Sequence, residues 1–201
     1  MKTIFLTTAI LLATVIGINN SVAAAPQDTD QTYPVLTETG AINKIEVYGN
    51  VELYVSDGDT DNVKVYNSYY KESAMVQNQN GTLRISSYKN EKLVVWVTAN
   101  DLRSLSAYDN AQVKSFGKLT AIELDVKLFN NASAKLNMDV FEASVTLNDN
   151  ARASLSGNVN TCELKFDLPA NINTGSLAYA SLVQKSTNNQ VKDTSGDFAA
   201  L

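Results

Sequence analysis

The chain has 201 residues, a net charge of -5, 44% hydrophobic residues, one cysteine and no histidine. Its basic residues are scattered rather than clustered, which argues against nucleic acid as a partner. Without histidine the chain has no Ser-His-Asp or Cys-His catalytic machinery and none of the common histidine-based zinc sites. We therefore expect no metal and no cofactor.

The segment 1–25 has the pattern of a secretory signal peptide. Lys2 gives a basic start, residues 4–18 are mostly apolar, and residues 21–25 offer small residues for cleavage. The alternative is a membrane anchor, but the apolar run is short for a span. The sequence therefore predicts an exported protein, periplasmic or at the cell surface, with no transmembrane segment after cleavage. Export with one cysteine favours a Gram-negative envelope protein over a disulfide scaffold.

After the signal, residues 26–40 form a polar lead-in in which Pro26 and Pro34 disfavour regular structure. Apolar and polar residues then alternate with a period of two, as in half-buried strands. Asn80-Gly81 indicates a two-residue hairpin. The continuous apolar run 93–97 predicts a strand that is buried on both faces, or one that leads into the core of the coils.

Between Leu105 and Ile172 the sequence repeats. The spacings between the aligned Ala111, Ala132, Ala151 and Ala170 are 21, 19 and 19 residues. A fixed period of this length indicates stacked structural units. Each unit has two alternating runs around a small polar corner, so successive coils would stack about 4.8 Å apart. We predict an all-β fold, a right-handed parallel β-helix (β-solenoid) with an N-terminal portion that contains a β-hairpin.

Three of the corners contain Asp/Asn-Asn-Ala. The residues that we predict to build them are Asn110 and Ala111, Asn131 and Ala132, and Asn150 and Ala151. Asparagine and aspartate tolerate left-handed backbone angles, and stacked asparagines can hydrogen-bond as a ladder. We interpret the corners as scaffold. The alternative is a ridge around Asp109 and Asp149 that binds a cation or a sugar.

Two other features have a structural and a functional interpretation. The loop 57–61 is similar to a calcium loop, but Asn62 and Ser68 stand where an EF-hand needs glycine and glutamate, so we interpret it as a solvated hairpin loop. Tyr66, Tyr69 and Tyr70 form an aromatic cluster. Cross-strand packing is the favoured interpretation, and stacking on a sugar or peptide is the alternative.

A carbohydrate-active enzyme is the alternative function. Asp109 and Asp149 would lie two coils apart, about 9.6 Å, near the separation of an inverting glycosidase pair. No cluster of basic residues accompanies them in the repeats. We therefore expect no enzymatic activity and name no catalytic residue.

The order of elements resembles the bacterial family of "putative auto-transporter adhesin, head GIN domain". The similarity rests on the opening strand pair 45–55, the acidic glycine turn 56–59, the strand 81–85 and the coils that follow. It covers residues 41–185, which we take as the domain, with a flexible tail at 186–201. The corners contain Asn-Ala where the family usually has Gly-Ser-Gly.

The resemblance implies a β-helical envelope or surface protein. We expect a non-catalytic adhesin-like or envelope-associated binding or structural module. Its partner would be an unknown envelope glycan or protein, contacted through the outward wall of the coils. The exposed ends of the solenoid are a further surface, suited to self-association.

Overall fold

The computed structural model describes residues 35–36, 40–66, 74–168 and 171–186. Over these residues the protein is all-β, with 13 strands in one sheet and no α-helix. None of the described residues belongs to a helix that could cross a bilayer. The predicted signal segment, most of the lead-in, Tyr69, Tyr70 and the tail after Ser186 lie outside the described residues.

The strands are β1 (Val35–Leu36), β2 (Lys44–Gly49), β3 (Val51–Asp57), β4 (Asn62–Val65), β5 (Ala74–Gln79), β6 (Thr82–Ser87), β7 (Leu93–Ala99), β8 (Ser104–Ala107), β9 (Gln112–Ser115), β10 (Leu119–Leu128), β11 (Ser133–Leu147), β12 (Arg152–Phe166) and β13 (Ile172–Ser186). Although we expected no regular structure in the lead-in, β1 forms there and pairs with β4.

The positions that the sequence repeat aligns are direct neighbours in parallel strands. Val126 is the Cα partner of Leu105 on one side and of Val145 on the other, and Val145 is in turn the partner of Leu164. All four side chains are fully buried. Each repeat therefore adds one layer of parallel strands, which we call a coil, and its apolar residues lie beside those of the next layer in one core.

The coils present three faces, which we name by their residues. Face A comprises 44–49, 82–87, 104–107, 123–128, 142–147, 161–166 and 181–186. Face B comprises 51–57, 93–99, 112–115, 133–136, 152–155 and 172–173. Face C comprises 119–121, 138–140, 157–159 and 177–179.

The description of the fold as a parallel β-helix is wrong in part, because the sheet is mixed. At the N-terminal end β5 pairs with β6, β4 with β7 and β1 with β4, all antiparallel. The hairpin between β5 and β6 turns at Asn80 and Gly81, with φ of 51° and 78°. Two consecutive positive φ angles are what a two-residue hairpin requires, so the turn chemistry imposes antiparallel pairing here.

Strands β2 and β3 form a coil that the repeat did not indicate. Ile45 in β2 is the partner of Leu105, and Leu53 in β3 is the partner of Val113. The prediction that 93–97 is buried on both faces is also wrong. In β7 buried positions alternate with half-buried ones, and Trp96 is half-buried on the outside.

The core lies between the three faces and consists mainly of valine, leucine, isoleucine and alanine. Full burial of a valine, leucine or isoleucine side chain contributes about 1.5–3 kcal/mol to the free energy of folding. Cys162 belongs to this core, and burial raises the pKa of its thiol to about 11. It is therefore a packing residue, since the thiolate is the reactive form of cysteine.

Candidate binding surface

The corner between faces A and B is a ladder of side-chain caps. Asp109, Asn130 and Asp149 each have a φ of 60°. The Oδ2 atom of Asp149 accepts a hydrogen bond from the backbone N–H of Asn130 at 3.0 Å, and Oδ1 of Asn130 accepts one from the N–H of Asp109 at 3.4 Å. Asp109 continues the ladder, because its Oδ2 accepts from the N–H of Gly49 at 3.1 Å. The first residue of each corner thus carries both the left-handed angle and the cap.

The second corner residues, Asn110, Asn131 and Asn150, are exposed. Asn131 donates a side-chain hydrogen bond to Oδ1 of Asn110 at 3.5 Å. The third residues, Ala111, Ala132 and Ala151, are buried, and each backbone N–H donates to the carbonyl three residues earlier. The structure therefore brings the predicted corner residues together, with asparagine on the outside and alanine in the interior.

This arrangement bears on the two aspartates of the enzyme hypothesis. Asp109 and Asp149 lie on corners two coils apart, with Asn130 between them. Each carboxylate accepts a backbone hydrogen bond from the preceding coil. A carboxylate that is used in this way has a structural role at the turn.

The acidic loop at 57–61 also has a structural explanation. Asp61 accepts hydrogen bonds from the backbone N–H of Ile42 at 3.0 Å and from that of Asn100 at 2.8 Å. The carboxylate thereby joins the start of the domain to the end of β7. Over the residues described, no group of acidic side chains or cysteine is placed to hold a metal ion.

The outward side of face A carries a stack of aromatic rings. The centroids of Tyr48 and Tyr108 are 4.6 Å apart with an angle of 5° between the rings, and those of Tyr108 and Phe129 are 4.8 Å apart with an angle of 2°. The rings belong to three successive coils. Because each ring covers its neighbour's face, this stack stabilises the order of the coils.

A second aromatic group lies on the outward side of face B. Tyr54 stacks on Trp96 at 4.7 Å, and Tyr66 packs against the same indole at 6.1 Å. Phe116 lies 5.2 Å from Trp96, with an angle of 57° between the rings. Phe116 is 63% exposed, so its ring contacts Trp96 and is also open to solvent. The cross-strand packing expected for Tyr66 is present, whereas sequence reasoning missed Trp96 and Phe116.

Lysines stand beside these rings in a single cross-strand row. From β4 to β11 the successive Cα partners are Lys64, Trp96, Tyr54, Lys114 and Lys135. We name this row together with Phe116 the aromatic–lysine face. Neighbouring strands are about 4.8 Å apart, so the row is about 19 Å long. Within the described part of the chain, neither Lys64 nor Lys135 forms an ion pair, and both are exposed.

Lys114 differs from these two lysines because it is held in place. Its ammonium lies 2.5 Å from Oε1 of Glu52 and 5.4 Å from the centroid of the Tyr54 ring. The hydrogen bond from Lys114 lowers the pKa of Glu52, and a further hydrogen bond from Tyr54 acts in the same direction. The lysine at the centre of the row is therefore ion-paired, whereas those at its two ends form no ion pair with any described residue.

Face A has an equivalent cluster with a different balance of charge. Glu46 pairs with Lys44 and with Arg84, both at 2.8 Å, and accepts a hydrogen bond from Tyr48 at 3.1 Å. The hydrogen bond from Lys44 makes the largest contribution to lowering the pKa of Glu46. Burial and the neighbouring carboxylate raise the pKa of Tyr48 to about 12. These groups satisfy one another, so the cluster is structural.

Comparison with known proteins places this architecture in a family. Residues 41–192 match the model of the family "Putative auto-transporter adhesin, head GIN domain", and the chain belongs to this family. The resemblance seen in the sequence is therefore confirmed. No protein of curated function is similar enough in sequence to count as a relative.

Solved structures share the fold at low sequence identity. A putative adhesin from Bacteroides fragilis is 18% identical with a TM-score of 0.66, over 77% of this chain and 75% of its own. A putative adhesin from Parabacteroides distasonis is 14% identical with a TM-score of 0.57, over 77% of both chains. A putative lipid binding protein from the same species is 9% identical with a TM-score of 0.56, again over 77% of both. At these identities the likeness concerns the fold alone.

Proposed function

We propose that the chain is an exported, non-catalytic, adhesin-like module of the bacterial envelope, built as a right-handed β-solenoid capped by antiparallel strands. Membership of an adhesin family supports the general role. The pattern of residues 1–25 supports export. The capping role of Asp109 and Asp149 supports a scaffold without catalytic carboxylates.

The partner binds, in this proposal, at the aromatic–lysine face. The observation that carries the proposal is the exposed ring of Phe116 beside Trp96, in the same region as the free ammonium groups of Lys64 and Lys135. Exposed aromatic side chains on a rigid support provide contact area at a low cost in conformational entropy. Lysines at both ends would favour an envelope glycan or protein that carries negative charge.

The test is a glycan array, combined with capture of envelope proteins, using the wild-type protein and two matched variants. Phe116→Ala removes the exposed ring of the aromatic–lysine face. Phe141→Ala is the control, because Phe141 is 56% exposed but lies at the corner between faces A and C. We expect Phe116→Ala to lose about tenfold or more in affinity and Phe141→Ala to bind like the wild type.

A second pair of variants tests the charge. Lys135→Gln should weaken binding of an anionic partner and reduce its salt dependence, whereas Lys89→Gln, outside the aromatic–lysine face, should not. Equal losses from Phe116→Ala and Phe141→Ala would refute this location of the site. Depolymerisation of a polysaccharide that is abolished by Asp149→Asn would refute the non-catalytic role.

A further inference from the structure

The last coil of the structure has an uncovered interior. Val140 and Val159 on face C are 4% and 3% exposed, whereas Tyr179, which continues their column in β13, is 48% exposed. On face A the buried Ala143 and Cys162 are followed in the column by Leu182, which is only partly buried. The columns that end in Tyr179 and Leu182 therefore reach the surface at β13, whereas Leu177, the partner of Gly157, is buried.

The outer edge of β13 has no strand partner among the described residues. This strand has 15 residues and pairs only with β12 in the described part of the chain. Natural edge strands are usually protected by charged residues, proline or short length. Lys185 is the only charged residue in β13, and its ammonium is already paired with Glu163 at 2.7 Å. The edge thus combines unpaired backbone groups, exposed apolar side chains and almost no charge.

We propose that this C-terminal end, formed by Ile172, Tyr179 and Leu182 on β13, is the interface between two copies of the chain. The occupant has to supply a long uncharged strand edge. The opposite end of the described sheet does not supply such an edge, because its outermost strands β5 and β1 have only 6 and 2 residues. A second β13 matches in length, and its single charged side chain, Lys185, is already paired with Glu163. The complex is then a closed two-fold dimer in which the two C-terminal ends face each other.

The test is sedimentation velocity of the purified chain over a range of about 1 to 100 µM, a range that covers weak dimers. We expect a concentration-dependent dimer that does not grow further. Tyr179→Lys should raise the dimer dissociation constant by about tenfold or more, because it places a charge at the edge. Tyr88→Lys is the matched control, since Tyr88 is 73% exposed but distant from β13 in the sheet order, and it should leave the constant unchanged.

Backbone amide exchange separates the alternatives. In the proposed dimer, the outward amides of β13 become protected as the protein concentration rises, and Tyr179→Lys removes this protection. A monomer at all concentrations with β13 already protected would show that another segment of the same chain covers the edge, and would overturn the proposal. Open-ended polymers, or a dimer unaffected by Tyr179→Lys in a folded variant, would also overturn it.

Discussion

The carboxylate of Asp149 caps the backbone N–H of Asn130, which occupies the same corner position one coil earlier, at 3.0 Å. Asp149 itself has a φ of 60°, and its own N–H is capped in turn by Asp167 at 2.9 Å. One residue type therefore satisfies two requirements of the corner, the left-handed angle and the hydrogen bond between coils. Alanine satisfies neither.

The first prediction concerns this corner. Asp149→Ala should destabilise the fold by about 2 kcal/mol, the sum of the left-handed strain and a lost hydrogen bond to a charged acceptor. Asp149→Asn should cost less than about 0.5 kcal/mol, because asparagine retains both properties. Asn150→Ala is the neighbouring control with a small expected loss. Urea denaturation measures all three, and equal losses at positions 149 and 150 would contradict the assignment.

A second prediction concerns two glycines with similar backbone angles. Gly157 has a φ of 97°, and a Cβ placed there would lie 2.1 Å from the carbonyl oxygen of Met138. Gly117 has a φ of 83° but no atom within 4 Å of such a Cβ. Gly117→Ala should therefore cost only the strain of the angle, about 1 kcal/mol, whereas Gly157→Ala should cost more than about 3 kcal/mol. Thermal denaturation of the two variants compares their losses of stability. Equal losses would contradict this prediction.

Acid should weaken the protein through its paired glutamates. The pKa of Glu52 is lowered in the fold by Lys114, and that of Glu163 by Lys185 and Lys165. A lowered pKa in the folded state contributes stability above the ordinary value of 4.5, and this contribution is lost as the pH falls through the folded value. We expect the urea midpoint to decrease as the pH drops below about 5.

Glu52→Gln isolates this effect. The variant should be less stable than the wild type at neutral pH and should show a weaker dependence on pH below about 4.5. Glu142→Gln is the control, because Glu142 is exposed and forms no ion pair within the described part of the chain. If the stability of Glu52→Gln depends on pH as strongly as that of the wild type, the ion pair between Glu52 and Lys114 does not contribute to stability.

The single thiol provides a probe of global unfolding. Cys162 is fully buried in the core, and burial raises its pKa to about 11. A disulfide reagent at pH 8 should therefore label the native protein only at the rate at which the core opens, and should label it at once in guanidinium. Rapid labelling of the native protein would show that the core around β12 is accessible.

The sequence predicts the coils because their periodicity is local. Leu105, Val126 and Val145 are separated by one repeat, so an alignment of the chain with itself finds their register. It does not find the coil of β2 and β3, since Ile45 pairs with Leu105 across an intervening hairpin segment. Contacts at that separation leave no period in the sequence.

The aromatic–lysine face was less predictable for a related reason. Trp96 lies in a run without polar residues, so the pattern predicted burial on both faces. In the structure, the outward side of this strand is instead covered in part by the rings of Tyr54 and Tyr66, which pack on Trp96. Phe116 follows β9 at a position with no apolar pattern. Nor could composition distinguish Asp109 from Asn110 as the left-handed residue, because both types tolerate that angle.

The cap between Asp109 and Gly49 joins residues 60 positions apart. In the later corners the cap comes from only 18 to 21 positions further along the chain. A polypeptide that is synthesised or threaded through a pore from its N-terminus thus cannot form this first cap until just over half of it has emerged. After that point, each further 18 to 21 residues supply the cap for the preceding corner. Folding would therefore begin late and then proceed one coil at a time as the chain emerges.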